Sequence, residues 1–258
     1  LLAKRTSPKW MISALLTTAI VALPVLSVIF LAFFPEENIW PHLIETTLPR
    51  YLTTTLKLMI GVGALTLVIG LASAWAVTMC EFPGRKFFEW AMLLPFAVPA
   101  YVIAYVYTSL LDYAGPVQRA LRELFGWNSA ADYWFPEIRS LEGATLMIGL
   151  VLYPYVYLLA RAAFLEQSPS LFAVSRSLGH SALSTFFKVV LPIARPAVAV
   201  GLSLVLMETL NDFGTVDFFA VQTLTAGLFD TWMNLGNLGC AAQIATTMLI
   251  FVVILVTL

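Results

Sequence analysis

Apolar residues run along this chain in long blocks, not in the alternation of a half-buried sheet. Trp10–Pro35, Leu58–Met79, Trp90–Leu111, Gly143–Ala160 and Thr231–Leu258 are each 18 residues or longer and hold no Asp, Glu, Lys or Arg. A helix crosses about 30 Å of hydrocarbon with roughly 20 mostly apolar residues. An open sheet would leave backbone groups unpaired in lipid, so the blocks read as membrane-crossing helices. Six spans are expected, at about 11–34, 57–79, 89–111, 143–163, 194–213 and 239–258. The first is too long for the core of a cleaved signal peptide, roughly 7–15 residues. It is expected to remain as a span.

The fifth span is interrupted early. Its uncharged stretch, Ala197–Met207, has 11 residues before Glu208, Asn211 and Asp212, which cover about 16 Å at the helical rise. Its polar end is expected either to be shielded by neighbouring helices or to line a wet cavity. Segment 214–238, with Asp217, Gln222, Asp230 and Asn234, is too polar for lipid and too apolar for open water. It predicts a short helix tucked against the outer face. In the third loop, Gly115-Pro116 opens a pattern with Val117, Leu121, Leu124 and Phe125 on one face, and Gly126 ends it. Proline at a helix start and glycine just past its end predict an amphipathic helix resting on the outer membrane surface.

Composition excludes a soluble domain. Hydrophobic residues make up 60% of the chain and charged residues 11%, against about 45–50% and about 25% in soluble proteins. The charges also orient the chain. Nine of the 14 basic residues fall on one side: Lys4, Arg5, Lys9, Arg85, Lys86, Arg161, Arg176, Lys188 and Arg195. Cytoplasmic loops are enriched in Lys and Arg, so the N-terminus is expected in the cytoplasm. Cys80 and Cys240 then lie toward opposite faces, and neither a disulfide nor a metal-ligand spacing is expected of them. The chain begins at Leu1 and stops at Leu258 inside an apolar run, so it reads as part of a longer protein.

The fourth loop carries the clearest functional signal. Ser168 is placed to cap a helix starting at Pro169, with Leu171, Val174, Ser175 and Leu178 on one face and Gly179 as its left-handed end. A second helix, about 181–190, is expected to run until Pro192 and Pro196 interrupt it. Helix, glycine corner and helix make a rigid cytoplasmic knob with a basic rim. Residues alone leave open whether it seats in a partner's groove or rests on the membrane.

Candidate transport chemistry lies in the spans. Glu208 and Asp212 are four apart and, on one helix, would point the same way with Asn211 beside them. Hard cations prefer oxygen ligands, and intramembrane ionisable groups default to functional roles. The alternative is that these residues mark the outer end of the span and brace the next turn. Tyr101, Tyr105 and Tyr107, with Tyr153, Tyr155 and Tyr157, offer phenolic oxygens, although interfacial aromatic belts give the same enrichment. Pro95, Pro99 and Pro154 remove helical hydrogen bonds, giving either hinges or static bends. His42 and His180 lie on opposite sides, and no Gly-rich loop ends in Lys-Ser or Lys-Thr. No enzyme activity, no cofactor bound by this chain and no nucleic-acid partner are expected.

Ala173-Val-Ser-Arg-Ser-Leu-Gly179, nine residues, Val189, one residue and Leu191-Pro192 resemble the signature loop of ATP-binding-cassette (ABC) importer permeases. That motif runs Glu-Ala-Ala, three residues, Gly, nine residues, Ile, one residue, Leu-Pro. Gly179, Leu191 and Pro192 match, Val189 is a near match, and Ala173 stands where the family has Glu. Phe82-Pro-Gly-Arg85, Leu94 to Tyr107, Asp112 to Pro116 and Glu208 to Asp217 are similar to the N-terminal half of ferric-iron importer permeases, so the resemblance covers nearly the whole chain. It implies an all-α, six-helix type I importer membrane domain (MetI-like), with an N-terminal segment 1–54 and a permease core 55–258. It further implies an ATPase-coupling loop of Leu171, Ala173, Ser175, Arg176, Gly179, Val189, Leu191 and Pro192, while the residue chemistry separately offers Glu208, Asn211, Asp212, Tyr101 and Tyr105 as a candidate path. Its expected partners are a cassette ATPase dimer that uses ATP, a periplasmic binding protein, a second permease half (fused or separate) and the bilayer of a bacterial inner membrane. Ferric iron is the cargo the resemblance implies, with thiamine, a polyamine or a phosphonate as the alternative. An ion-coupled secondary transporter is the alternative of another class; it has no reason to keep a Gly-cornered knob.

Overall fold

The computed structural model describes residues 8–257, so Lys4 and Arg5 of the charge argument lie outside the described residues. Every described element is helical. The first half contains α1 (Pro8–Phe33), α2 (Trp40–Glu45), α3 (Leu48–Met79), α4 (Arg85–Ala91), α5 (Ala100–Leu111) and α6 (Pro116–Phe125). The second contains α7 (Leu141–Leu165), α8 (Pro169–Ser177), α9 (Ala182–Thr185), α10 (Leu191–Asn211), α11 (Gly214–Phe218), α12 (Leu224–Phe229) and α13 (Leu238–Thr257).

Helices α3 and α7 form the spine. Leu58, Val62, Ala144, Met147, Ile148 and Val156 are buried between them and their neighbours. Lipid offers no hydrophobic drive for helices to pair, so close approach through small residues matters more here than in water. A Cβ on Gly70 would lie 2.8 Å from Val156 Cβ, and one on Gly149 would lie 2.5 Å from Leu65 Cδ2. Helix α10 crosses the same spine, with Gly201 against the Val156 backbone. Helix α1 packs instead along α13, where Gln243 Nε2 donates to the Ala32 carbonyl at 3.1 Å.

Among the described residues five helices are long and apolar enough to cross a membrane. The sixth expected span, 89–111, is not one helix. The chain bends by 95° between Arg85–Ala97 and Ala100–Phe125, with a 3₁₀ turn at Leu94–Ala97. Pro95 and Pro99 have no N–H to give to a continuous ladder, and the chain breaks where both are missing. Pro154, by contrast, sits inside an unbroken α7.

The fifth span also departs from expectation, in the opposite sense. Pro192 and Pro196 do not interrupt it; Ala182–Asn211 runs on as one stretch. A π turn at Phe186–Val190 makes this possible, with the Leu191 N–H donating to the Phe186 carbonyl. The register slips just before Pro192, the residue with no donor to place. Segment 214–238 forms α11, α12 and a π turn at Asp230–Asn234, not one short helix. Its Thr215, Val216, Leu224 and Thr225 are buried, so it is part of the packed body.

Helix α6 forms with the expected bounds, and Gly126 has a left-handed φ of 69°. Val117, Leu124 and Phe125 stay exposed, while Gln118 turns inward and donates to the Leu111 carbonyl at 2.7 Å. The loop beyond it is fixed by Asp132, whose carboxylate accepts the Ser129 and Asn128 N–H groups at 2.8 Å. Those bonds hold its pKa below the ordinary carboxylate value. Cys80 is exposed, Cys240 is buried, and both are free thiols.

Candidate functional site

The fourth loop folds as a helix, corner and helix. Ser168 Oγ accepts the Ser170 N–H at 3.3 Å and starts α8. At the other end Gly179 takes φ 81°. Its N–H donates to the Arg176 carbonyl at 2.9 Å, and the His180 N–H donates to Ser175 at 3.1 Å. These paired bonds are the Schellman closure, which satisfies carbonyls the helix end would otherwise orphan. Ser181 caps α9 by accepting the Ser184 N–H at 3.3 Å.

The expected shared face of α8 is split. Leu171, Val174 and Leu178 are exposed, with Ala173 and Arg176 also outward, but Ser175 is buried. Its hydroxyl shares a 2.7 Å hydrogen bond with Thr185, which is buried as well. That bond braces α8 against α9. Leu183 and Phe187, 69% and 63% exposed, extend the outward apolar face beyond the corner. They are four residues apart in Leu183-Ser-Thr-Phe-Phe187, a helical spacing that could have revealed them. Val189, Leu191 and Pro192 are half-buried at the root. There Trp75 stacks edge-on against Phe186 at 4.8 Å and Phe164 at 6.4 Å. Gln167 Nε2 donates to the Val190 carbonyl at 3.0 Å. The knob is therefore rigid, outwardly apolar and seated on the ends of α3 and α7.

The candidate path residues do not all come together. Helix α10 ends at Asn211, and Asp212 turns to extended backbone at ψ 119°. Its carboxylate accepts the Thr215 N–H at 2.9 Å, the Thr215 hydroxyl at 3.1 Å and the Val216 N–H at 3.2 Å. Asp212 thus caps the turn into α11 and does not pair with Glu208. Glu208 and Asn211 remain exposed, on the α10 face that also presents Ile193, Val200 and Leu204. Tyr101 and Tyr105 are exposed at 55% and 62%, beside α11. Gly214 packs against Tyr101, and the rings of Tyr105 and Phe218 are 5.8 Å apart. Tyr153 and Tyr157 are withdrawn from any path, since their hydroxyls donate to the carbonyls of Met92 and Glu89. Among the described residues no group of three or more His, Cys, Asp and Glu is placed to hold a metal ion.

Packed helices of membrane-crossing length with a helix–corner–helix knob fit the class of ABC importer membrane subunits. A model of the family described as "Binding-protein-dependent transport system inner membrane component" matches residues 66–258. The chain belongs to that family. Curated relatives include the Fe(3+)-transport system permease protein FbpB 2 of Haemophilus influenzae, 26% identical over 83% of this chain and 38% of that protein. The sulfate transport system permease protein CysT of Salmonella typhimurium is 30% identical over 59% of this chain and 52% of its own length. The molybdenum transport system permease protein ModB of Escherichia coli is 24% identical over 69% and 77%. This chain spans about half or less of the length of the iron and sulfate relatives. Among solved structures, a bacterial ABC transporter involved in import of the acidic polysaccharide alginate has a TM-score of 0.68 at 16% identity, covering 96% of this chain and 94% of that one. The MetNI methionine ABC transporter gives 0.61 at 16% identity, over 82% and 92%. These likenesses show the fold: an all-α type I ABC importer membrane domain.

Proposed function

We propose that this chain is the membrane-spanning part of an ATP-driven importer, with a cassette ATPase seated on its knob and ferric iron as its cargo. The observation that carries the proposal is the knob, a braced helical corner that turns Leu171, Val174, Leu178, Leu183 and Phe187 outward. Such an apolar face rimmed by Arg176 and Lys188 suits a protein groove. The sequence holds no Gly-rich loop ending in Lys-Ser or Lys-Thr, and ATP is used by the partner. Substrate arrives on a periplasmic binding protein, and a second permease half completes the path.

The cargo is argued from charge. An acid at the centre of a lipid-facing helix costs roughly 2.5–3.5 kcal/mol on the insertion scale. Glu208, one turn from the end of α10, costs less, but its face is still better covered by the second half around a wet path. Among the described residues Glu208 has no ion-pair partner. A free carboxylate there attracts a cation and repels sulfate or molybdate, which favours the iron relative over the oxyanion ones.

Pull-down of a cassette ATPase by the intact chain, by Gly179→Pro and by a 171–192 deletion tests the coupling. Binding to the intact chain alone is expected. Equal binding by the deletion removes the knob from the interface. In the assembled transporter, Glu208→Gln is expected to slow ⁵⁵Fe uptake about tenfold or more, the loss of roughly 1.4 kcal/mol or more of charge stabilisation. Asp212→Asn, whose amide oxygen still caps, is expected to leave uptake close to normal. Full-rate uptake in Glu208→Gln rejects the cation path.

A further inference from the structure

The broken third span leaves two backbone carbonyls without their helical donors, and one neighbouring helix supplies both. In an unbroken helix Glu89 O would accept from Leu93 and Met92 O from Phe96. Here both donors tighten by one residue: Leu93 N–H goes to Trp90 O at 2.9 Å and Phe96 N–H to Leu93 O at 3.1 Å. Tyr157 Oη donates instead to Glu89 O at 3.1 Å, and Tyr153 Oη to Met92 O at 2.9 Å. Both tyrosines are buried. One further turn along α7, the Arg161 guanidinium meets the Glu89 carboxylate at 3.4 Å. Tyr153, Tyr157 and Arg161 are therefore one stripe at four-residue spacing, and each member contacts the segment just before the bend.

We infer that this stripe is a latch: Tyr153 and Tyr157 are positioning residues that fix the angle of the broken third span and tie it to the helix that carries the knob. The same α7 ends at Leu165, three residues before Ser168 starts the knob, and its Phe164 packs into the knob root against Trp75 and Phe186. A push on the knob moves α7, and the latch passes that movement to the bend at 92–99. Beyond the bend lies α5 with Tyr101 and Tyr105, next to the turn capped by Asp212. Helix, latch and bend thus form a continuous mechanical connection from the knob to the face beside α11. Phenol is suited to the task because a buried hydroxyl has one proton to donate and two carbonyls here need one each. A third-span helix without its break would have no use for them.

The transfer from knob to bend rests on the importer reading; the latch itself does not. Hydrogen–deuterium exchange of the full chain in lipid nanodiscs measures it directly. Tyr153→Phe/Tyr157→Phe keeps both rings and removes both hydroxyls. Amides of 89–98 are expected to exchange about fivefold faster per lost bond, the factor that one net hydrogen bond of ordinary strength gives, while those of α3 and α7 keep their rates. Unchanged rates at 89–98, or an equal rise throughout α3 and α7, overturn the latch. With the co-purified cassette ATPase, adding ATP and vanadate is expected to alter exchange at both 171–187 and 89–98 in the native chain. In the double variant the response at 171–187 is expected to persist and that at 89–98 to vanish; its persistence at 89–98 overturns the transfer. If no ATPase co-purifies, the importer reading loses its support, and the nucleotide-free measurement still decides the latch.

Discussion

Ser175 shows how much one hydroxyl can decide. It lies in the stretch that resembles the importer motif, and its exposed neighbours suggest an interface residue, yet its oxygen is buried against Thr185. Removing either oxygen alone leaves the other buried without a partner, which costs about 1–3 kcal/mol, whereas replacing both with apolar groups approaches neutrality. Ser175→Ala and Thr185→Val are each expected to lower the unfolding free energy of the knob by about 1–2 kcal/mol. The double variant is expected to recover most of the loss, a non-additivity typical of residues in contact. Local exchange at 171–187 reads all three. Additive single effects would mean that the two hydroxyls do not depend on each other. Asp212 teaches a related lesson: its charge suggested cargo, but three donors at 2.9–3.2 Å make it a cap. Which partner a polar group finds depends on the turn that follows, and the helical wheel cannot display a turn beyond the helix end.

At the scale of elements, legibility followed the source of the signal. Spans such as α3 and α7 were legible because a run of apolar residues and the thickness of hydrocarbon leave one solution. The knob was legible because Ser168, Gly179 and Ser181 mark local ends by their own backbone and side-chain chemistry. Proline was the less readable sign. Pro95 and Pro99 break the third span, while Pro192 and Pro196 sit in a continuous fifth stretch. The difference lies in what surrounds each missing donor. Around Pro95 the neighbouring amides tighten into 3₁₀ bonds and tyrosines from α7 donate to the Glu89 and Met92 carbonyls; before Pro192 a π turn widens the ladder and the helix continues. The second solution is local, while the first draws on residues some sixty positions away in sequence. Segment 214–238 forms several short pieces, not one helix, for the same reason. Thr55 accepts the Leu224 N–H at 2.9 Å and Thr225 donates to the Leu210 carbonyl, so partners distant in sequence bury polar residues that the pattern places only at the outer face.

The molecule as a whole has two ends that differ in kind, and the direction it faces decides whether the importer reading is possible. One end carries the apolar knob with Arg176 and Lys188; the other carries α6, the Asp132 loop and Trp134, which is 84% exposed. An ATPase meets the knob only if that end is cytoplasmic, as the distribution of Lys and Arg predicts. Single cysteines at Leu178 and Trp134, in a chain with Cys80 and Cys240 changed to Ser, separate the two orientations. Both sites are at exposed positions outside the long spans, so a membrane-impermeant maleimide reaches each from its own side. In intact spheroplasts the Trp134→Cys chain is expected to label fully and the Leu178→Cys chain to stay unlabelled until the membrane is permeabilised. The reverse pattern would place the knob outside, beyond reach of ATP. It would also reverse the meaning of the latch, since α7 would then carry a signal from an outer partner toward the cytoplasmic end of the path.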